Sequence, residues 1–98
     1  MMRLSKLFIL LLLSFLFGCK NYYNETIEWA DNLEGDLSVE SVMKVQPYFI
    51  EIDWKNPRHI ENEKWYLITE IKGNNDPLGM SHYLVFKGDK YQYRESKK

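Results

Sequence analysis

The stretch Ser81-His82-Tyr83-Leu84-Val85-Phe86-Lys87-Gly88-Asp89-Lys90-Tyr91-Gln92-Tyr93-Arg94-Glu95 decides the fold. Two runs rich in aromatic and β-branched residues flank Gly88-Asp89, a two-residue connection of the kind that joins antiparallel strands. Counting outward from that turn pairs Phe86 with Tyr91 and Leu84 with Tyr93 on one face, and Val85 with Gln92 and Tyr83 with Arg94 on the other. Residues 81–87 and 90–95 are therefore a hairpin, and the preceding elements must extend its sheet or cover it.

Extension comes first. Residues 64–72 alternate Trp65, Leu67, Thr69 and Ile71 with Lys64, Tyr66, Ile68, Glu70 and Lys72, and bulk on both faces predicts a central strand. Residues 48–54 place Tyr48, Ile50, Ile52 and Trp54 opposite Phe49, Glu51 and Asp53, which predicts a strand covered on one side. Lys55-Asn56-Pro57-Arg58-His59 breaks the pattern between these two strands. The run from Gly73 to Gly79, with Asn74, Asn75, Asp76 and Pro77 inside it, is a loop.

Cover comes from the residues before Pro47. Ile27, Ala30 and Leu33, with Trp29, carry a helical period over residues 25–33, with Asn24 as cap and Gly35 as left-handed stop. Ser38 caps a second helix over residues 39–45. Leu37 and Val42 then fall at the two positions of a hydrophobic staple, and Val42 and Met43 are its expected core contacts. Pro47 ends the helix. The predicted class is α+β, with two short N-terminal helices packed on an antiparallel meander of three to four strands. The domain should run over residues 24–95, leaving residues 96–98 frayed.

The beginning of the chain reads differently. Arg3 and Lys6 precede an apolar run from Leu7 to Phe17, far short of the roughly 20 residues that cross a bilayer as a helix and apolar on all sides rather than on one stripe. Such a segment is an export signal that is removed. The sequence around its end, Leu16-Phe17-Gly18-Cys19, resembles the lipobox of bacterial lipoproteins. By that resemblance residues 1–18 are cleaved between Gly18 and Cys19, and Cys19 carries diacylglycerol and an acyl chain on its freed amino group. Residues 19–23 then form a short lipidated tether that holds the domain close to its membrane. Lys20 rather than Asp follows the cysteine, which under the enteric sorting rule implies the outer membrane over the inner. Lipidation also accounts for the single cysteine of the protein, which an oxidising envelope would otherwise leave reactive.

Composition narrows the function. Loss of Arg3 and Lys6 leaves a mature chain with three more acids than bases, which argues against a nucleic-acid partner. A domain this small, without a disulfide, depends on packing, and its tryptophans and tyrosines supply the area. His59 sits in the Pro57 loop and His82 at a strand start facing the same way as Leu84. No Ser/His/Asp order or metal-ligand spacing can be assembled from them. Glu51 and Asp53 read as a solvated face, and Asn74-Asn75-Asp76 as turn chemistry without the acid spacing of a calcium loop. No enzyme, cofactor or metal is expected.

Gly35, Ser38 and Val42, the Trp65-Tyr66 pair opening a strand, and Phe86-Lys87-Gly88 together resemble the BamE (SmpA/OmlA) family of small outer-membrane lipoproteins, over about residues 27–93. One extra residue separates Gly35 from Ser38, and Gln46-Pro47 replaces the family's Gly-x-Pro. The resemblance implies helices on a meander and attachment to envelope assembly machinery. The expected function is a non-catalytic lipoprotein, held to the membrane through lipid on Cys19, that binds an envelope protein. Phe49, Tyr66, Ile68, Tyr83 and Val85 are the expected docking face, provided that the helices leave it open. The alternative is an inhibitor or immunity-type lipoprotein whose acidic first helix mimics an anionic substrate of an enzyme or toxin.

Overall fold

The computed structural model describes residues 20–74 and 79–98. The predicted signal, the Gly18–Cys19 cleavage point and Asn75 and Asp76 of the predicted turn lie outside the described residues. Helices α1 (Tyr23–Asp31) and α2 (Val39–Lys44) accompany strands β1 (Ile50–Ile52), β2 (Arg58–Ile60), β3 (Glu63–Ile71), β4 (Ser81–Lys87) and β5 (Lys90–Lys97). All pairings are antiparallel: the order is β1-β3-β4-β5, and β2 pairs with β3 as well. The chain is α+β, with five strands rather than three or four.

The hairpin turn forms as the sequence requires. Gly88 and Asp89 both adopt positive φ, 58° and 64°, the twisted two-residue turn that matches the right-handed twist of its strands. Phe86 pairs with Tyr91 as expected, but Val85 then pairs with Tyr93, Leu84 with Arg94 and Tyr83 with Glu95. Gln92 is an extra residue, a β-bulge, and every side chain beyond it changes face. Arg94 and Ser96 thus join His82, Leu84 and Phe86 on one face, and Tyr93 joins Val85 on the other. β5 continues to Lys97, so residues 96 and 97 are paired rather than frayed.

β2 was hidden by Pro57. A proline is tolerated just before an edge strand, and Arg58, His59 and Ile60 pair with Trp65, Lys64 and Glu63. His59 therefore lies on a strand, not in a loop. β1 is shorter than the period suggests: Tyr48 is 77% exposed, and Trp54 lies beyond the last pair. Asp53 still donates its backbone N–H to the Leu67 carbonyl at 2.9 Å, and its Oδ1 accepts the backbone N–H groups of Lys55 and Asn56, which closes a turn.

The helices start and stop on chemistry partly visible in the sequence. Ser38 Oγ accepts the N–H of Ser41, as a cap should, and Val42 is completely buried. α1 begins before Asn24, however, and it is the Asn21 side chain that takes the N–H of Tyr23, at 2.9 Å. The left-handed residue between the helices is Asp36, at φ 68°, not Gly35. Asp tolerates that conformation, and it aims the Asp36 N–H at the Tyr91 carbonyl while the Leu37 carbonyl accepts the Tyr91 N–H. This pairing occupies the outer edge of β5. Met43, expected inside, is 47% exposed, and Val45 is 54% exposed.

Ala30, Val42, Ile50, Tyr66, Ile68, Leu84, Phe86 and Tyr91 form the main core between helices and sheet, flanked by Trp29, Leu37, Phe49 and Trp54. Truncating Val42 to Ala removes two buried methyl groups beneath α2 and should cost about 1–3 kcal/mol. For a domain of this size that corresponds to a fall of roughly 4–8 °C per kcal/mol in Tm. A thermal melt of the mature protein checks it, and an unchanged Tm would show that α2 is not held through Val42.

Candidate functional site

The five residues expected to form one docking face are divided between two. Tyr66 pairs with Leu84 and Trp65 with Val85, so Tyr66 and Ile68 point toward the helices, where both are buried and Phe49 packs beside them. Tyr83 and Val85 point the other way, into a smaller cluster with Trp65, flanked by Ile60 and Leu67. Alternation alone does not fix which face of β3 meets which face of β4. The second face is not an open apolar patch either. The Arg58 guanidinium lies 5.8 Å from the Tyr83 ring centre and the Lys97 ammonium 4.8 Å from that of Trp65, and Tyr83 and Val85 keep 8% and 0% of their surface.

The bulge at Gln92 builds a different site. On the helix-facing side His82 is buried, and its Nε2 lies 2.9 Å from the Tyr23 hydroxyl on α1. Its Nδ1 lies 2.8 Å from Ser96 Oγ and 3.1 Å from an Arg94 guanidinium nitrogen. Arginine only donates, so Nδ1 accepts from Arg94. Arg94 also donates to Ser96 Oγ. It reaches back to α1 through a forked pair with Asp31, 2.9 Å and 3.3 Å. Tyr23, His82, Arg94 and Ser96 line a groove of about 550 Å³ together with Asn24, Ile27, Glu28 and Met80.

Ser96 beside His82 is half of a nucleophile–base pair. The outer nitrogen of the imidazole, however, lies at the Tyr23 hydroxyl. Arg94 also competes for the nitrogen that would receive the serine proton. Each polar group is held by the others, which suits a rigid recognition surface better than proton transfer. Among the described residues, no three His, Cys, Asp or Glu side chains gather as a metal ion would need. Nothing in the sequence marks this site locally, since His82, Arg94 and Ser96 form no motif. The usable signal is the pairing of two strands, and it required the bulge.

The acidic face of α1 is largely engaged as well. Asp31 holds Arg94, and Glu25 meets the Lys20 ammonium at 3.0 Å. That hydrogen bond lowers the Glu25 carboxyl below its ordinary range and raises the Lys20 ammonium.

Below the groove, the Tyr91 hydroxyl donates to the Ala30 carbonyl at 2.8 Å inside the core. Burial pushes this phenol up to about 12, with the Asp31 carboxylate adding and Arg94 opposing. Its folded value lies above the ordinary 10, so the stability it contributes is complete below pH 10 and is lost as pH rises toward 12. Tyr91→Phe removes one of the hydrogen bonds to the Ala30 carbonyl, which keeps the Leu33 N–H at 3.4 Å; it should cost about 0.5–1.5 kcal/mol at neutral pH and should flatten the alkaline loss of stability. Urea titrations at pH 8 and pH 11 check both; equal alkaline losses in the two proteins would remove Tyr91 as the cause.

No known protein family, curated protein or solved structure matches the chain.

Proposed function

We propose that the protein is a non-catalytic, lipid-anchored lipoprotein of the bacterial envelope that binds another envelope protein, at the outer membrane and in the manner of the BamE-like lipoproteins. The observation that carries the binding role is the groove between α1 and the β4–β5 hairpin. Its Tyr, His, Arg and Ser groups are fixed by one another, and Tyr and Arg are the side chains that dominate protein–protein recognition. The anchor rests on the Leu16-Phe17-Gly18-Cys19 sequence. Lys20 to Tyr22 are not a free tether: Tyr22 N–H donates to the Lys72 carbonyl at 3.0 Å and Asn21 to Asn74 at 3.3 Å. A lipid on Cys19 would therefore hold the domain against the bilayer. The inhibitor reading draws less support, because Glu25 and Asp31 are already paired within the molecule.

A photoreactive amino acid in place of Met80, which is 40% exposed at the groove, tests the binding role in the native host. Capture of a barrel-assembly component is the expected result, and capture of a lytic enzyme or toxin would favour the inhibitor. A purified protein that turns over an envelope substrate and captures no protein would overturn both.

A further inference from the structure

Around Lys20, five aromatic and basic side chains are assembled. Tyr22 stacks on Phe49 with ring centres 4.6 Å apart. Tyr48 stands edge-on to both, and its hydroxyl lies 2.9 Å from that of Tyr22. The Lys20 ammonium sits 5.1 Å from the Tyr22 ring centre, and that of Lys72 sits 5.7 Å from the Tyr48 ring centre.

The backbone fixes this group. Besides the Tyr22–Lys72 bond, Lys72 N–H donates to the Phe49 carbonyl at 2.8 Å. Gly73, at φ +76°, lets the chain pass so close that a Cβ there would stand 2.2 Å from the Lys20 carbonyl oxygen. The exposure is large for apolar groups. Tyr48 keeps 77% of its surface, and Met43 and Val45, just before it in the chain, keep 47% and 54%. Exposed tyrosine rings with polar tips, aliphatic side chains and lysines that extend past them are the composition found where a protein meets the headgroup layer of a bilayer.

We propose that Tyr48 and Tyr22, with Lys72, dock this end of the domain onto phospholipid headgroups and so fix how the protein stands on its membrane. The inference rests on the lipid-anchor reading, which puts the acyl chains on the residue adjacent to Lys20. The occupant follows from that position: a domain whose Lys20, next in sequence to the lipidated residue, lies beside the cluster must bring the cluster to the surface that holds the lipid. The Lys72 ammonium suits the phosphates of that layer, whereas that of Lys20 is held by Glu25 at 3.0 Å. Glu51 and Glu70 line the adjoining groove with Tyr48 and Lys72 and offset its charge, so the rings supply the contact and Lys72 its orientation. Lipid alone would leave the domain free to rotate about its attachment; the docked cluster would leave the recognition groove at a set height above the bilayer.

The test uses the mature, lipidated protein in vesicles of phosphatidylethanolamine and phosphatidylglycerol. With Cys19 lipidated, Glu70→Cys provides the one thiol for a nitroxide beside the cluster. Lys87→Cys on β4 provides a control, since Lys87 pairs with Glu63 at the far end of β3, which at its nine residues is roughly 30 Å long. Intact mass is read first. The ratio of oxygen to nickel-chelate accessibility should be several-fold higher at position 70 than at position 87, and should fall to the control value in a Tyr48→Ser, Lys72→Ser background that stays on the vesicles. An unlipidated mass overturns the anchor and this proposal with it. A lipidated mass with a water-exposed label at position 70 overturns the docking alone. A label that is shielded only in native envelope vesicles, and not in pure lipid, assigns the cluster to a protein partner and overturns it as well.

Discussion

Replacing Phe86 with Ala should remove most of the stability of this domain. Phe86 is 1% exposed and is the largest of the fully buried side chains. Its ring meets those of Tyr66 and Tyr91 edge-on at 5.4 Å and that of Trp54 at 6.3 Å. Truncation loses the transfer energy of the ring and leaves a cavity that three rigid neighbours cannot fill, a change that costs about 3–5 kcal/mol in other cores. The whole stability of a small domain is of order 5 kcal/mol or slightly more, so the variant should populate unfolded chain at room temperature and melt without a clear native baseline. Phe86→Leu keeps most of the volume and should cost less than about 1.5 kcal/mol. Tyr93, flipped to the other face and 43% exposed, should tolerate Ala within about 0.5 kcal/mol. Urea unfolding of the three variants makes the comparison, and a Phe86→Ala protein as stable as Tyr93→Ala would place the core elsewhere.

The second large effect is on location. Cys19→Ser removes the only thiol in the chain, and with it the acceptor for diacylglycerol in the lipoprotein reading. Processing at Gly18 would then be blocked. The expected result is loss of the mature, lipidated species, with the precursor retained at the inner membrane or released without acyl chains, and the outer-membrane fraction emptied. Fractionation followed by protein detection reads this directly. A Cys19→Ser protein that reaches the outer membrane in wild-type amount would mean that something other than the lipid delivers and holds it.

The parts of the fold that were legible in the sequence are those set by local chemistry. Gly88-Asp89 specifies its turn because both residues tolerate positive φ, Ser38 specifies a helix start through its hydroxyl, and the double-sided bulk of β3 marks a strand with neighbours on both edges. What escaped depends on contacts between distant residues. The bulge at Gln92 has no local signature, and without it Arg94 falls on the wrong face and the His82 network cannot be drawn. The β3–β4 register decides whether Tyr66 lies beside Leu84 or Val85, and no property of either strand alone chooses. Asp36 takes the left-handed turn in place of Gly35 because its N–H must reach Tyr91, 55 residues along the numbering. The candidate groove was therefore invisible to motif reading, and the docking face proposed from alternation was divided by a single register.

The anchor at Cys19 supports the rest of the functional account, and the intact mass of the protein isolated from its native envelope tests it most directly. The expected mass is that of residues 19–98 plus a diacylglyceryl group and one amide-linked acyl chain, with tandem fragmentation placing both on Cys19. A chain that retains residues 1–18, or a mature chain whose Cys19 bears no lipid, would contradict it.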